Sequence, residues 1–524
     1  MTEPAILAVA RSTRYDVGGN RKGATTGATW TLLLPRLPIG RIALLGVAAP
    51  AARERLDELV DEAVDGLPAE GRFDVIWLPP SGGRRPADRA ALRGRLSDDG
   101  VVVDEAPGGL APEDAAAARF SVLRRGGDTL VATPLAHPVV DSWLRRHGLA
   151  GSSGSRLRDR LRRLTSGLVR GRSPVRSSAW GYLDIVGQPG LDRPPRYLRD
   201  LAATGGHDIT AFGWGLSATG PYRTQKALLP LFAAGASAPE MIVKVARHSS
   251  VNPRLQVELE ALRRLATLGP TIAERVPAVL FAGTHAGLLV VGESALDGDP
   301  FRTARKEGDP RATDAVAWLT ELGQRTASPV DAREVAGALD ELVDTYVAAD
   351  GPGRTLEAQL RAQVERIRGH PDRFPVVAQH GDPGTWNLIA LPGDRTGFLD
   401  WENFEERGMP LWDVIYLLRS LAVGSLPRRP LERRLEHVQR TFLDTSAFTP
   451  FIVGAVRRYC AQVGLADDLV EPLYHLGWMY QALKEVTRLE PGRLGEGHFY
   501  ALLRRGLDGR SNGTLDTLFR GTRT

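Results

Sequence analysis

From Gly151 to Ser177 the chain reads GSSGSRLRDRLRRLTSGLVRGRSPVRS, rich in Gly and Ser, with Arg156, Arg158, Arg160, Arg162, Arg163, Arg170, Arg172 and Arg176 set against one acid, Asp159. Such a stretch assembles no core, so it divides whatever folds on either side. A division is required in any case: the chain has 524 residues, whereas single cores stop growing at roughly 250–300. Leu157, Leu161, Leu164 and Leu168 recur at helical spacing within the break. They read either as a solvated linker helix or as a basic amphipathic helix over 156–176 that contacts a membrane surface or an anionic partner.

Ahead of the break, short apolar runs alternate with helical stretches: RIALLGV (41–47), AARERLDELVDEAV (51–64), FDVIWLPP (73–80), ADRAALRGRL (87–96) and GVVVDEA (100–106). Strand, helix, strand, helix, strand predicts a parallel α/β sheet, with FSVLRRGGDTLVATP (120–134) as an antiparallel hairpin at its edge. After the break come strand-like runs, DITAFGWGLSATG (208–220), RTQKALLPLFAAGA (223–236), EMIVKVA (240–246), AVLFAGTH (278–285) and GLLVVGES (287–294). A helix, NPRLQVELEALRRLATL (252–268), follows the third. From Thr313 onward the period is helical except between Val376 and Phe404. The domains expected are residues 1–150, a linker 151–194, a small antiparallel-sheet lobe 195–298 and a helical lobe 299–524.

Bulk properties exclude several classes. A net charge of +5, from 67 Lys and Arg against 62 Asp and Glu, is too small a surplus over so large a surface to point to nucleic acid. The lone Cys460 excludes an internal disulfide framework, and its helical surroundings make it an inert buried thiol. The N-terminus lacks the basic start of a secretory signal, and no window reaches the ~18 apolar residues of a membrane span. The expectation is a soluble, cytoplasmic protein.

The chemistry concentrates in VVAQHGDPGTWNLIALPGDRTGFLDWENF (376–404). His380, Gly381, Asp382 and Asn387 spell H-G-D-x-x-x-x-N. The D-x-x-x-x-N spacing is that of a kinase catalytic loop, where the Asp takes the proton of the attacking hydroxyl and the Asn binds magnesium. Asp400 ends the next strand, a second oxygen donor for a hard cation. The plain alternatives are a polar turn for Asp382 and Asn387 and a helix cap for Asp400.

Together, HGDPGTWNLI, GFLDWENF and GMPLWDVIYLL (408–418) resemble the aminoglycoside phosphotransferase and choline kinase family, of protein-kinase-like fold, over roughly residues 195–510. The resemblance implies a bilobal α+β domain that uses ATP and Mg²⁺. Asp382 would be the catalytic base, His380 would act in the same loop as a brace, Asn387 and Asp400 would be metal ligands, and Asp413 would anchor the loop. Lys244, in EMIVKVA, would hold the phosphates. Glu258, which opens an E-x-x-x-L-x-x-L pattern, would be its carboxylate partner. Ser217, Thr219 and Gly220, beside Gly213 and Gly215, would form the phosphate-covering loop, although an ordinary hairpin explains them equally well. The main chain from Glu293 to Ala295 would face the adenine. The acceptor would be a small molecule bearing a hydroxyl, with Glu402, Glu405 and Glu406 as candidate recognition groups and Trp401 able to stack on a sugar or cation.

Residues 1–150 resemble a class I methyltransferase in the order of FDVIWL and DDGVVVDE, but offer only Gly46 where a glycine-rich turn is needed. The expectation there is a degenerate, Rossmann-like α/β domain. Two alternatives stay open: a catalytically silent nucleotide-binding protein of pseudokinase type, and a bifunctional protein with an active methyltransferase.

Overall fold

The alternation ahead of Gly151 becomes, in the computed structural model, four parallel strands: β1 (Ile39–Leu44), β2 (Val60–Asp65), β3 (Phe73–Leu78) and β4 (Leu96–Asp104). They lie in the order β2-β1-β3-β4. The structure describes residues 6–7, 28–37, 39–46, 52–53, 56, 59–79, 89–105, 116–125, 128–147, 179–187, 189–219, 226–301, 308–350, 353–424, 431–486, 497–508 and 513–519. The basic stretch 151–177 lies outside them.

β2 corrects the reading of 51–64 as one helix. Leu56 and Leu59 are buried, the Ile39 N–H donates to the Leu59 carbonyl at 2.8 Å, and from Val60 the chain pairs with β1 along its length. Tertiary pairing overrides local propensity here. Asp61, Glu62 and Asp65 then charge an edge strand, a common protection against edge-to-edge association.

Nine further strands continue the sheet: β5 (Ala117–Arg125), β6 (Asp128–Pro134), β7 (Ala179–Val186), β8 (Gly213–Trp214), β9 (Leu216–Ser217), β10 (Ala227–Phe232), β11 (Met241–Val245), β12 (Val279–His285) and β13 (Leu288–Ser294). The path is β2-β1-β3-β4-β7-β5-β6-β9-β10-β11-β13-β12, with β8 on β10. From β4 onward every pairing on this path for which registers are resolved is antiparallel. The β5–β6 hairpin is therefore interior, not an edge, and β7, inside the segment read as linker, is a strand between β4 and β5. Buried charge pins this register. Arg119 and Asp184 are direct partners on β5 and β7, joined by two hydrogen bonds at 2.6 and 2.8 Å, and Asp184 raises the guanidinium pKa further. Glu105 takes Arg124 at 2.9 Å and the Trp77 indole N–H at 2.8 Å.

Compactness follows this continuity. One unit comprises Lys22–Gln256 with Val279–Ala295, the other Met1–Arg21, Val257–Ala278 and Leu296–Thr524. A single apolar cluster in the first unit runs from Trp30, Val103 and Phe120 through Trp214 to Val243 and Val290.

The second unit is mainly helical, with long helices at Pro310–Thr326, Ala332–Asp350, Arg354–Arg368, Trp412–Val423, Thr449–Val463 and Val470–Val486. Six short strands, β14 (Asp299–Pro300), β15 (Ser328–Val330), β16 (Phe374–Gln379), β17 (Leu388–Leu391), β18 (Arg395–Phe398) and β19 (Glu405–Gly408), pair as β14-β17-β18 and β15-β16-β19. All six residues of β16 are buried. The helix Trp412–Val423 is buried at every residue except Asp413, which makes it a central helix, packed on all sides. These two elements fix the loop that follows β16. Among the described residues no helix is long and apolar enough to cross a membrane.

Phe120 is fully buried and meets Trp214 edge-on, centroids 5.8 Å apart. Phe120→Ala should lower the stability of the sheet unit by about 3–5 kcal/mol in urea unfolding and speed amide exchange in β10 and β11 as well as in β5 and β6. Acceleration confined to β5 and β6 would mean that the two halves of the sheet do not share a core.

Candidate active site

The segment after β16 is held by its own backbone. Asp413, in the first turn of the buried helix, accepts the N–H of His380 in a short hydrogen bond and that of Gly381 at 3.0 Å. Lys484 Nζ donates to the Gly381 carbonyl at 2.8 Å. Gly381 has φ +81°, and a Cβ there would lie 2.4 Å from the Asn403 carbonyl oxygen, so only glycine fits. Thr385 N–H donates to Ser420 Oγ at 3.0 Å, from the same buried helix as Asp413.

His380 is fully buried. Its Nε2 meets the Leu399 carbonyl at 3.0 Å and its Nδ1 accepts the Asp382 N–H at 3.3 Å. A neutral ring protonated on Nε2 satisfies both contacts. Desolvation pushes its pKa down to about 4 against the pull of the Leu399 carbonyl. Both nitrogens are spent on backbone, so the imidazole has none to offer a substrate.

Asp382 and Asn387 meet directly. Asn387 Nδ2 donates to the Asp382 carbonyl at 2.9 Å and approaches Asp382 Oδ2 at 3.4 Å, which leaves the amide oxygen as the group Asn387 can give a cation. Leu399 N–H donates to the Asn387 carbonyl at 2.9 Å, so pairing of β17 with β18 brings Asp400 beside Asn387. Asp400 stands at φ +65°, a left-handed conformation that Asp tolerates better than most residues. Amide and carboxylate oxygens suit magnesium, which keeps waters and phosphate ligands and so needs few protein donors. Consistent with so sparse a set, no group of three or more His, Cys, Asp or Glu able to hold a metal occurs among the described residues.

In this unit Glu258, on the helix Asn252–Ala266, is fully buried and accepts the Trp401 N–H at 3.1 Å. The Trp401 ring is closed off from any substrate. It is 0% exposed, packed on the His380 ring with centroids 4.3 Å apart and on Trp318 and Phe404. Glu405 is also buried, within β19, whereas Glu406 faces solvent and approaches Arg264 at 3.4 Å; Glu402 is half-buried. The exposed aromatic is Trp386, inside the Asp382–Asn387 loop, 57% exposed with its indole N–H 3.4 Å from Asp382 Oδ2. Its place within D-x-x-x-x-N was the available signal. Lys484 and Ser420, far off in sequence, carried none.

In the sheet unit Lys244 on β11 pairs with Glu293 Oε2 at 2.9 Å, both side chains nearly buried. Glu293 lies on β13 between β11 and β12, so its backbone belongs to the sheet. The Ala295 N–H donates to the Glu240 carbonyl at 2.9 Å. The main-chain donors expected to face adenine are thus partly engaged. The glycine loop also differs from expectation. Ser217 is 7% exposed and sits on β9 between β6 and β10. Gly213 and Gly215 admit the helix Pro138–His147, since a Cβ at Gly215 would lie 2.5 Å from Leu144 Cδ1. Thr219 is half-buried, and Gly220 lies outside the described residues. Cys460 is buried, its pKa pushed up to about 12 by desolvation.

Residues 230–447 match APH, the phosphotransferase enzyme family. The match spans β10 to the helices beyond Asp413, and so includes Lys244, Glu258, Asp382, Asn387 and Asp400. No curated protein matches the chain. Solved structures similar to it include a macrolide 2′-phosphotransferase from Brachybacterium faecium, 18% identical, covering 60% of this chain and 98% of that one at a TM-score of 0.35. Another is an aminoglycoside phosphotransferase from Streptomyces rimosus in complex with ADP and streptomycin, 17% identical, covering 56% and 97% at 0.33. A choline/ethanolamine kinase family protein from Mesorhizobium loti is 17% identical, covering 57% and 90% at 0.32.

Two buried groups between residues 230 and 447 have shifts of opposite consequence. Desolvation raises Asp413 to about 7, opposed by the N–H groups of His380 and Gly381. Its contribution to stability is present below the ordinary carboxylate pKa and lost as pH rises toward 7. The contribution of His380 is present above 6.5 and lost as pH falls toward 4. Nitrogen-resolved NMR at pH 5.5 should show the His380 ring neutral and protonated on Nε2; a doubly protonated ring would refute the buried brace.

Proposed function

We propose that the chain is an ATP- and Mg²⁺-dependent phosphotransferase that moves the γ-phosphate to a hydroxyl of a small molecule. The observation that carries this reading is the hydrogen-bonded pair of Asp382 and Asn387, in a loop whose neighbouring strand delivers Asp400. A protein that only binds nucleotide has no need of a carboxylate so held.

Asp382 accepts the proton of the acceptor hydroxyl as its oxygen bonds to the γ-phosphorus; the bond from that phosphorus to the bridging oxygen breaks and ADP departs. Positioning and charge neutralisation supply most of the acceleration, because phosphoryl transfer passes through a loose transition state. Lys244 would carry positive charge to the phosphates, with Glu293 fixing its ammonium. Asn387 and Asp400 would hold magnesium, which when bound offsets charge on the phosphate oxygens. His380 positions Asp382 through the backbone contact at Nδ1 and takes no part in proton transfer.

The exposed Trp386 beside Asp382 offers a flat apolar face to a sugar ring or an organic cation. That favours acceptors of the aminoglycoside, amino-sugar or choline type, and moves acceptor recognition from Trp401 to Trp386.

ATP consumption measured against a panel of aminoglycosides, macrolides, amino sugars and choline should reveal stimulation by at least one acceptor. Asp382→Asn should then lower kcat by about 10²–10⁴ with nucleotide affinity retained, and Asp400→Ala should raise the magnesium concentration needed for half-maximal rate. Wild-type turnover in Asp382→Asn protein would remove the base assignment. Intact ATP binding with no acceptor-stimulated turnover would favour a binding protein.

A further inference from the structure

The sheet unit contains a cavity of about 600 Å³ that shares no residue with the set above. Its wall is formed by the segment before β1, the β7–helix connection, the helix Arg196–Thr204 and the end of β12. Arg36, Arg193, Arg196 and Arg199 all line it, with His285. Two acids, Asp99 and Asp200, line it too, and Asp200 is engaged by Arg196 at 3.7 Å. Arg36 and Arg193 make no ion pair among the described residues, and the Arg199 guanidinium acts on the exposed Asp208 only through space. Arg199 Nε and His285 Nε2 are buried there without a hydrogen-bond partner. A buried Arg199 Nε–H without an acceptor is a donor left for a ligand to satisfy, and four guanidinium groups against two acids on one wall favour an anion there.

The walls are rigid. Tyr197 stacks on His285 with centroids 4.3 Å apart and planes 10° from parallel, and its hydroxyl donates to the Leu32 carbonyl at 3.2 Å. At the far end of the same helix, a Cβ at Gly205 would lie 2.4 Å from the Leu280 carbonyl oxygen, so the helix is seated directly on β12. Pro194 and Pro195 turn the chain into the helix at the cavity, which presents the positive end of its dipole.

We propose that this cavity binds a phosphate-bearing small molecule. Guanidinium forks match phosphate oxygens in charge and geometry. The volume lies within the ~300–1,000 Å³ of small-molecule sites and exceeds what a bare anion fills, so the ligand is a phosphate ester whose organic part lies against the Tyr197–His285 stack.

Titration calorimetry on the full chain, with inorganic phosphate and with glucose 6-phosphate as probes, tests this. Wild-type protein should bind at one site per chain, and Arg36→Ala/Arg193→Ala, two exposed side chains whose loss spares the fold, should weaken binding at least tenfold. Arg199→Ala should do the same, whereas Lys244→Ala should leave binding unchanged. Tighter binding of the sugar phosphate supports an ester; equal binding supports free phosphate and overturns the ester while keeping the anion site. Binding weakened only by Lys244→Ala would place the phosphate among the phosphotransfer residues and overturn the proposal. So would equal binding by all variants, or no binding of either probe at millimolar concentration.

Discussion

Two backbone N–H groups, those of His380 and Gly381, end on the carboxylate of Asp413, and the loop that carries Asp382 is built outward from that contact. These bonds oppose the desolvation that raises the Asp413 pKa to about 7, and losing them would strand a buried acid without donors. The same helix delivers Ser420 to Thr385, and Lys484 closes on the Gly381 carbonyl from another. Strain is tolerated around this frame: Asp400 and Leu411 both stand at positive φ, a conformation that costs of order 1–3 kcal/mol and persists only where surrounding contacts over-determine it.

The sheet unit is organised by a different constraint, the pairing of strand edges, which leaves β2 and β12 at the two ends of its path. β6 pairs with β9, so the strands that carry Lys244 are continuous with those that begin near Ile39. Lys244 is accordingly presented by a sheet whose far half is supplied by the N-terminal region, and the buried pairs Arg119–Asp184 and Arg124–Glu105 hold the register where parallel pairing gives way to antiparallel. The cavity lined by arginines belongs to this joint construction. Its helix, Arg196–Thr204, rests on β12, while Arg36 comes from the segment before β1.

Much of this was legible because its determinants are local. H-G-D-x-x-x-x-N, the strand-end Asp400 and the lysine of EMIVKVA are short patterns whose residue types are set by chemistry, and nearly every strand named from apolar runs exists. The failures have one cause. AARERLDELVDEAV has helical spacing, but its second half pairs with β1. Gly213 and Gly215 read as a phosphate loop, although their small size serves a helix more than 65 residues earlier in the chain. Trp401, next to Asp400 in the motif, is enclosed by Trp318, His380 and Phe404, whereas Trp386, inside the loop, is the exposed ring beside Asp382.

By itself the sequence determined which residue types stand at kinase-like spacings, a loop carboxylate, an amide and a second carboxylate, and a strand-borne lysine, because such spacings are set by local backbone geometry. Only the tertiary structure decided which polar groups are spent internally. His380 uses both nitrogens on backbone, Glu293 closes on Lys244, and Glu258 takes the Trp401 N–H. In contrast, Arg36 and Arg193 line the cavity without an ion pair among the described residues, and Arg199 Nε is buried there without a hydrogen-bond partner. The physical reason is that desolvation and hydrogen-bond satisfaction depend on neighbours distant in the chain, and a sequence records those neighbours only through the fold.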